Sequence, residues 1–246
     1  MTPVRLAPDG PVARIYLARP ERRNALDPAL ISALTDAFAA AADARVVVLA
    51  GDGPSFCAGA DVEWMRAAAD VSVDENVQDA LRLRTLLDAI DGCPVPVVAR
   101  VHGHVLGGAA GLVACCDVAV AADDAVFAFS EVKLGVVPAV ISPFVLARIG
   151  GAARRWFVTG ERFDAATALR IGLVDEVAAD LDAAVDRVVA ELLAAGPESV
   201  RIAKQLARRA HAADETARIT AERRASAEGQ EGLRAFLEKR KPSWSP

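Results

Sequence analysis

The stretch from residue 95 to residue 122 constrains the fold more than any other part of this 246-residue sequence. It runs from an apolar segment, Val95–Val101, through a glycine-containing turn into a helix of small residues, Ala109–Cys116, and on to a second apolar segment, Val118–Ala122. Two strands that are joined through a helix usually pair in parallel, because antiparallel neighbours need only a short turn. The sequence therefore predicts a βαβ unit and a parallel sheet.

Segments nearer the N-terminus extend this α/β pattern. Val12–Leu17 has the β-branched content of an edge strand, and Asp27–Ala42 carries apolar residues at helical spacing behind an aspartate cap and a proline. The apolar run Val46–Leu49, bounded by turn residues, is typical of a strand that is buried on both faces. The last third of the chain has a helical pattern. We predict an α/β core over residues 1–195 and a helical region over residues 196–246.

Composition and charge exclude several classes of function. The chain has 53% hydrophobic residues and a formal net charge of −5, yet residues 201–246 carry 11 Lys and Arg against 6 Asp and Glu. An acidic body beside a basic tail suits a small phosphate-bearing ligand, or an acidic neighbouring subunit, better than nucleic acid. No apolar run reaches the roughly 20 residues that span a bilayer, and the N-terminus lacks a leader pattern. We therefore expect a cytoplasmic protein that binds neither nucleic acid nor membrane.

The cysteine and histidine residues do not predict a metal site or a disulfide. His102 and His104 share one face at a strand end, but no third ligand lies at ligand spacing. Ser130 and His102 could form a nucleophile and base, but no Gly-x-Ser-x-Gly elbow is present. The cysteines have no C-x-x-C spacing, so we expect four reduced core residues, Cys57, Cys93, Cys115 and Cys116.

Two glycine turns each follow an apolar strand and precede a helix. The first, Phe56–Asp61, places the backbone N–H of Ala60 near a helix start, and the second, Gly107-Gly108, opens the helix of small residues. The first N–H groups of a helix have no intrahelical partner and carry the positive end of its dipole. Two such donors aimed at one carbonyl oxygen stabilise an enolate, each typically by about 3 kcal/mol of barrier. Either turn alone is also compatible with a purely steric need for glycine.

Glu131 is the only carboxylate in an apolar stretch, between the predicted strand Ala125–Phe129 and the run Val136–Ile141. Apolar surroundings raise the pKa of a carboxyl group toward neutrality, which suits a residue that must accept and release a proton. The alternative is a structural ion pair with Lys133 or a nearby arginine. The residues alone leave both interpretations open.

In their order and spacing, these motifs resemble those of the crotonase (enoyl-CoA hydratase/isomerase) superfamily over about the whole chain. The matching residues are Asn24-Ala25-Leu26, Phe56–Asp61, Gly107-Gly108, Asp117, Glu131, Leu134-Gly135, Pro138, Thr159-Gly160, Ala168, Gly172-Leu173-Val174 and Phe236–Lys241. The resemblance implies a crotonase-like spiral of ββα repeats with a C-terminal α-helical trimerisation region, assembled as a homotrimer or a dimer of trimers. It also implies an enzyme of fatty acid or branched-chain amino acid breakdown that binds an acyl-CoA thioester. No cofactor is expected, because coenzyme A is part of the substrate.

The resemblance also assigns roles to single residues. It implies that the amides of Ala60 and Gly108 hold the thioester oxygen and that Glu131 transfers the proton at the α-carbon. The positions that match the family's CoA contacts include two in the tail, which reach a neighbouring subunit. The residues implied to bind substrate or CoA are Ala58, Ala60, Asp61, Val62, Glu63, Gly108, Gly111, Lys133, Phe236 and Lys239.

One departure from the family bears on the reaction. Hydratases usually carry two glutamates, and the position of the first holds Gly111 here, so that only Glu131 remains. A single glutamate resembles Δ3,Δ2-enoyl-CoA isomerases, whereas residues 111–117 and 130–143 resemble bacterial methylglutaconyl-CoA hydratases. We favour hydration of a 2-enoyl-CoA, for which a branched methylglutaconyl type is one candidate, with Lys133 or Arg148 meeting its carboxylate. An isomerase and a non-catalytic acyl-CoA-binding protein are the alternatives.

Overall fold

The computed structural model describes residues 2–68, 71–208 and 210–245, and no helix among them is long and apolar enough to cross a membrane. The strands are β1 (Val4–Asp9), β2 (Val12–Leu17), β3 (Val46–Gly51), β4 (Val97–Val101), β5 (His104–Leu106), β6 (Val118–Ala122), β7 (Val126–Ala128), β8 (Phe163–Asp164) and β9 (Glu176–Ala178). The helices are α1 (Pro28–Ala40), α2 (Val62–Ala68), α3 (Val73–Asp91), α4 (Gly108–Cys115), α5 (Ser142–Ile149), α6 (Ala153–Thr159), α7 (Ala165–Arg170), α8 (Leu181–Ala194), α9 (Pro197–Arg208), α10 (Ala213–Ala225) and α11 (Ala227–Leu237). Short 3-10 turns cover Pro20–Arg22, Ser130–Leu134 and Gly150–Ala152.

Six strands form the main sheet in the order β1-β2-β3-β4-β6-β9. β1 and β2 are antiparallel, and the other neighbours are parallel. The predicted parallel sheet is confirmed, because β4 and β6 pair directly and the chain between them forms β5 and α4. The prediction of an edge strand at Val12–Leu17 is wrong, since β2 lies between β1 and β3. β1 forms the edge, and it was missed because only Val4 of its six residues is buried.

Both faces of the main sheet are covered, as β3 shows. Val47 and Leu49 belong to a core that includes residues of α1, α3 and α4. Val46 and Val48 belong to a second core, which they share with residues of α8. Because consecutive side chains of a strand point to opposite faces, each core lies on its own side of the sheet. The prediction that Val46–Leu49 is buried on both faces is confirmed.

A small sheet, β5-β7-β8, lies beside the first glycine turn. The N–H of Cys57 donates to the carbonyl of His104 at 3.0 Å, and the N–H of Leu106 donates to the carbonyl of Cys57 at 3.2 Å. The segment that begins at Phe56 therefore runs along β5 as a further partner. Since β5 ends directly before Gly107, this pairing brings the two predicted glycine turns side by side.

The helices α9, α10 and α11 lie within the predicted helical region. The side chain of Lys204 in α9 is only 6% exposed, and its ammonium group pairs with Asp117 at 2.7 Å and donates to the carbonyl of Val95 at 2.8 Å. These two contacts attach α9 to the ends of the segments that carry β4 and β6. The boundary between residues 195 and 196 stays a prediction.

Candidate active site

The first glycine turn is fixed between Leu26 and β5. Leu26 donates its N–H to the carbonyl of Gly59 at 2.7 Å and accepts from the N–H of Asp61 at 2.8 Å. Gly59 has φ +95°, and a Cβ there would lie 2.9 Å from the carbonyl oxygen of Leu106, so a larger residue would push the turn away from β5. The N–H of Ala60, between these anchored neighbours, donates to no acceptor among the described residues.

Gly107 and Gly108 form the second turn, at the N-terminus of α4. Gly107 has φ 54° and ψ −122°, a conformation that disfavours any side chain, and its N–H donates to the carbonyl of Ala128 at 2.8 Å. Gly108 is the first residue of the helix, and its N–H finds no acceptor in the described part of the chain. The amides of Ala60 and Gly108 are thus both free to donate, which an oxyanion hole requires.

Glu131 lies on the 3-10 turn Ser130–Leu134 and faces the second glycine turn. A Cβ on Gly107 would lie 3.3 Å from Oε1 of Glu131, so the missing side chain leaves room for the carboxyl group. Its Oε2 is buried without a hydrogen-bond partner, and no cation of the described chain pairs with it. Burial raises the pKa of Glu131, and its own backbone N–H offsets only part of this effect. The alternative of a structural ion pair therefore does not fit, and proton transfer does.

A cavity of about 360 Å³ joins the free amides and the carboxyl group. Its backbone-rich side consists of Ala58, Gly59, Ala60, Gly107 and Gly108. Its other walls are Leu26, Trp64, Met65, Leu83, Ser130, Glu131, Leu134, Val136, Val137, Pro138, Val140 and Ile141. The indole N–H of Trp64 is already engaged with Asp79 at 3.0 Å. Among these lining residues, Glu131 is the one ionisable group that a ligand would meet.

Of the residues expected to bind substrate or CoA, Ala58, Ala60 and Gly108 line this cavity, together with Glu131. Sequence reasoning named the apolar run Val136–Ile141 beside Glu131 but missed the parts of the wall that come from α2 and α3. The leucines of α3 have helical spacing, so the helix could have been recognised. Their position beside the glycine turns depends on long-range packing and leaves no local signal.

Asp61 and its neighbours lie behind the cavity instead of lining it. The buried carboxylate of Asp61 accepts from the N–H groups of Glu63 at 2.9 Å and Trp64 at 3.3 Å, and it pairs with Arg22 at 3.2 Å. Burial would raise the pKa of Asp61, but these two amides and Arg22 outweigh it, so the pKa lies below its ordinary value. Glu63 also pairs with Arg22, and Val62 is exposed. Asp61 thus fixes the start of α2, whose Trp64 forms part of the wall.

Gly111 does not contact the cavity. It is buried in α4, and a Cβ there would lie 2.4 Å from Cγ2 of Ile141. Ile141 therefore fills the space where the first glutamate of a two-glutamate site would begin, and Ile141 lines the cavity in its place. The predicted ligand contact at Gly111 is corrected to Ile141.

The two cations expected near a substrate carboxylate lie elsewhere. Lys133 is exposed and packs against Gly160, where a Cβ would lie 3.1 Å from its Cγ. Arg148 donates to the carbonyls of Leu173 at 2.8 Å and Cys116 at 2.6 Å and pairs with Asp175. Neither cation lines the cavity, so the hypothesis that Lys133 or Arg148 meets a substrate carboxylate does not hold for this site.

Phe236 lies in the last turn of α11, and Lys239 follows the end of this helix. Phe236 is 81% exposed, and Lys239 is exposed as well. Neither of them lines the cavity that contains Glu131.

A larger groove of about 760 Å³ lies at Arg148, where α4, α5 and α9 meet. Its cations are all neutralised: Arg148 pairs with Asp175, and Lys204 and Arg208 pair with Asp117. Burial raises the pKa of the Cys115 thiol, and it raises that of Cys116 to about 12, so neither forms a thiolate readily. The groove presents no free acid, base or nucleophile, and its size alone does not make it the reactive site.

The remaining candidates are structural. His102 is engaged with the carbonyl of Gly53 at 2.8 Å, and His104 with the hydroxyl of Ser55 at 3.0 Å. Among the described residues, no group of three or more His, Cys, Asp or Glu side chains could hold a metal ion. The prediction of reduced core cysteines is confirmed, since Cys57, Cys93, Cys115 and Cys116 are free and buried.

Other proteins share both the sequence pattern and the fold. The family model described as enoyl-CoA hydratase/isomerase matches residues 9–246. An enoyl-CoA hydratase from Shewanella pealeana is 38% identical with a TM-score of 0.93, covering 98% of this chain and 96% of that one. AtuE from Pseudomonas aeruginosa is 37% identical with a TM-score of 0.94, and the match covers 99% of this chain and 100% of that one. An enoyl-CoA hydratase from Mycobacterium smegmatis is 34% identical with a TM-score of 0.92, and the match covers 98% of each chain. The chain is therefore an enzyme of the enoyl-CoA hydratase/isomerase family, with the fold of the crotonase superfamily.

Proposed function

We propose that this chain is an acyl-CoA lyase that adds water across the double bond of a 2-enoyl-CoA. The observation that supports the proposal is one cavity in which the buried, unpartnered carboxyl group of Glu131 lies beside the free amides of Ala60 and Gly108. The Shewanella and Mycobacterium relatives are named enoyl-CoA hydratases, which supports the same activity. A non-catalytic acyl-CoA-binding protein has no need of a buried carboxyl group without a partner.

The reaction uses one carboxylate twice. The thioester oxygen accepts hydrogen bonds from the amides of Ala60 and Gly108. Glu131 takes a proton from water as the water oxygen bonds to the β-carbon, and the electron pair of the double bond moves through the α-carbon to the thioester oxygen. The resulting enolate is neutralised when Glu131 returns the proton to the α-carbon. The product is a 3-hydroxyacyl-CoA, and Glu131 is ionised again.

The walls favour an apolar acyl chain. The lining includes Trp64, Met65 and Leu83, and none of it is cationic. The segment after Glu131 contributes Leu134, Val136, Val137, Pro138, Val140 and Ile141. A methylglutaconyl-type substrate would bring an ionised carboxylate into this space without a counter-ion, which costs several kcal/mol unless the group protonates. An unbranched or methyl-branched 2-enoyl chain therefore fits better than a dicarboxylate.

A second candidate function is Δ3,Δ2-enoyl-CoA isomerisation. Ile141 occupies the space beside Gly111, so the described cavity contains one carboxylate where hydratases of the resembling type carry two. One base is enough to take a proton from the α-carbon of a 3-enoyl-CoA and return it to the γ-carbon of the resulting dienolate. Both reactions place negative charge on the thioester oxygen, but hydration must also hold a water at the β-carbon, whereas isomerisation requires the base to reach the γ-carbon.

We further propose assembly as a homotrimer or a dimer of trimers. Phe236 and its neighbour Leu237 are 81% and 77% exposed, and adjacent large apolar side chains on a surface are typical of an interface. Lys239 lies beside them and supplies a positive charge for the phosphates of a CoA bound to a neighbouring subunit. The proposed reaction needs no cofactor, so dialysis against a chelator should leave the rate unchanged.

Incubation in heavy-oxygen water separates the candidates. The purified protein is supplied with a straight-chain 2-enoyl-CoA, with 3-methylglutaconyl-CoA and with a straight-chain 3-enoyl-CoA, and products are followed by mass spectrometry. We expect labelled oxygen in the product of the straight-chain 2-enoyl-CoA and a lower rate with methylglutaconyl-CoA. Migration of the double bond without labelled oxygen would identify an isomerase, and no conversion at all would support the binding protein.

A further inference from the structure

Hydration by one carboxylate leaves the attacking water with too few partners. An ordered water in a protein typically makes about three hydrogen bonds, and two are the minimum that fixes its direction. Glu131 supplies one acceptor. The amides of Ala60 and Gly108 are reserved for the thioester oxygen, and Ile141 closes the position from which a second carboxylate would come. A second polar side chain in the cavity is therefore required.

The lining of the cavity reduces the choice to one residue. Trp64, Ser130 and Glu131 are the lining residues with polar side-chain atoms, and the indole N–H of Trp64 is engaged with Asp79. The hydroxyl of Ser130 has no hydrogen-bond partner among the described residues, whereas seven other serine and threonine hydroxyls donate to a backbone carbonyl, as Thr85 does at 2.9 Å. Ser130 thus brings an uncommitted donor and acceptor to the cavity.

The position of Ser130 is fixed by its surroundings. It directly precedes Glu131 on the 3-10 turn and follows Phe129, which is fully buried. The carbonyl of Ala128, two residues earlier, accepts from the N–H of Gly107 at 2.8 Å. The segment that carries Ser130 and Glu131 is therefore tied to the second glycine turn, and both residues line the same cavity.

We propose that Ser130 is the water-binding residue that takes the place of the first glutamate. This inference rests on the proposed hydratase function. The water donates one hydrogen to Glu131 and the other to Oγ of Ser130, which leaves an oxygen lone pair directed at the β-carbon. Only Glu131 changes its protonation, since a serine hydroxyl is too weak an acid and too weak a base to do so; Ser130 supplies direction.

The test compares two activities that share Glu131 and the amides but differ in their need for water at the β-carbon. The first is incorporation of heavy oxygen into a straight-chain 2-enoyl-CoA. The second is exchange of the α-hydrogen of butyryl-CoA with deuterated water, which needs the enolate and exchange of the Glu131 proton with solvent, but no water bonded to the β-carbon. In Ser130→Ala, we expect the ratio of hydration rate to exchange rate to fall about tenfold, the effect of one lost hydrogen bond.

A matched pair of variants excludes an effect of shape. Ser130→Thr and Ser130→Val have side chains of almost the same size, and only threonine keeps the hydroxyl. We expect the ratio to recover in Ser130→Thr and to stay low in Ser130→Val. Equal loss of both activities in Ser130→Ala and Ser130→Val, or an unchanged ratio in both, would overturn the role of Ser130 while the hydratase proposal stands. Exchange without any oxygen incorporation in the wild type would overturn the hydratase proposal and this inference together.

Discussion

The carboxyl group of Glu131 occupies a position that disfavours its ionised form. Its Oε2 is buried without a partner, and burial raises its pKa. Surrounding atoms would stabilise the folded state more if this side chain were neutral, because an unpaired buried charge is costly. The protein thus keeps a destabilising residue where the chemistry needs a proton acceptor that can also release its proton.

We expect Glu131→Gln to raise the melting temperature at neutral pH. The pKa of Glu131 is higher in the folded state than the ordinary value of 4.5, so folding favours the neutral acid. The stability of the wild type is therefore fully present at pH below 4.5, and part of it is lost as the pH rises through the raised pKa and Glu131 ionises. Glutamine does not ionise, so the advantage of the variant should shrink as pH falls toward 4.5. Melting curves of both proteins, recorded from neutral pH down to pH 4.5, measure this difference in melting temperature.

The exposed Glu191 on α8 provides the control. Glu191→Gln should change the melting temperature little at any pH, because a solvated carboxylate loses nothing on folding. A gain for Glu131→Gln that is independent of pH, or no gain at neutral pH, would contradict the account of its burial.

Gly111 shows why one substitution does not restore a two-glutamate site. A Cβ there would lie 2.4 Å from Ile141, and overpacking of this kind costs about 1–3 kcal/mol in free energy of unfolding. We expect Gly111→Glu to unfold at lower denaturant concentration and to hydrate no faster than wild type. Adding Ile141→Gly should recover part of the lost stability. Wild-type stability for Gly111→Glu alone would show that the space is not filled.

At the scale of elements, α9 is attached to the sheet by a small number of contacts. Lys204 is 6% exposed in its side chain and reaches both Asp117 and the carbonyl of Val95. Arg201 lies one turn earlier on the same helix, and its pair with Glu198 at 3.4 Å is largely solvated. The two cations therefore form a matched pair for measuring what burial contributes.

We expect Lys204→Met to lower the free energy of unfolding by about 1.5–3 kcal/mol, the range for hydrogen bonds to charged groups. Arg208 still neutralises part of Asp117, which keeps the loss below that of an isolated buried charge. Arg201→Met should cost less than about 1 kcal/mol, as exposed pairs do. Urea titration measures both, and equal losses would refute the assignment of Lys204 as an anchor.

Elements with an apolar signal could be predicted from sequence, and those without one could not. The apolar runs of β3, β4 and β6 predict the parallel sheet. Asp27 caps α1 as predicted and accepts from the N–H of Leu30 at 2.8 Å. β1 lies at the edge and is mostly solvated, so its residues do not alternate. The glycine turns were recognised as turns, but their adjacency depends on pairing between Cys57 and β5, which joins residues about 50 positions apart.

The residues of the site also divide into those with a local sequence signal and those without one. Ala60, Gly108 and Glu131 could be named because glycine turns at helix starts and a lone carboxylate leave local signals. The role of Ile141 could not be predicted, because its close contact with position 111 exists only once α4 packs against the segment that contains Ile141. The same holds for Arg148, whose charge is neutralised by Asp175.

At the scale of the whole molecule, the proposed assembly makes each site depend on two chains. Chains with Glu131→Gln keep the tail but lack the base, and chains with Phe236→Ala and Lys239→Ala keep the base but lack the tail. Alone, the tail variant should show a KM for acyl-CoA raised about 10- to 30-fold, since two contacts of about 1 kcal/mol each are lost.

Mixed oligomers test whether the tail acts on a neighbouring subunit. After unfolding and joint refolding of the two variants, some sites combine an intact base with an intact tail from the other chain. We expect a fraction of the activity with the wild-type KM to return. If mixing restores nothing, the tail serves its own chain or no site at all.

The central claim is that Glu131 moves the α-proton of an acyl-CoA across an enolate that the amides of Ala60 and Gly108 stabilise. Exchange of the α-hydrogen of butyryl-CoA in deuterated water tests it most directly, because exchange needs neither water addition nor a double bond. We predict deuterium uptake by the wild type and a rate lower by about 10²- to 10⁴-fold for Glu131→Gln, with CoA binding retained. Exchange by Glu131→Gln at the wild-type rate would contradict the account.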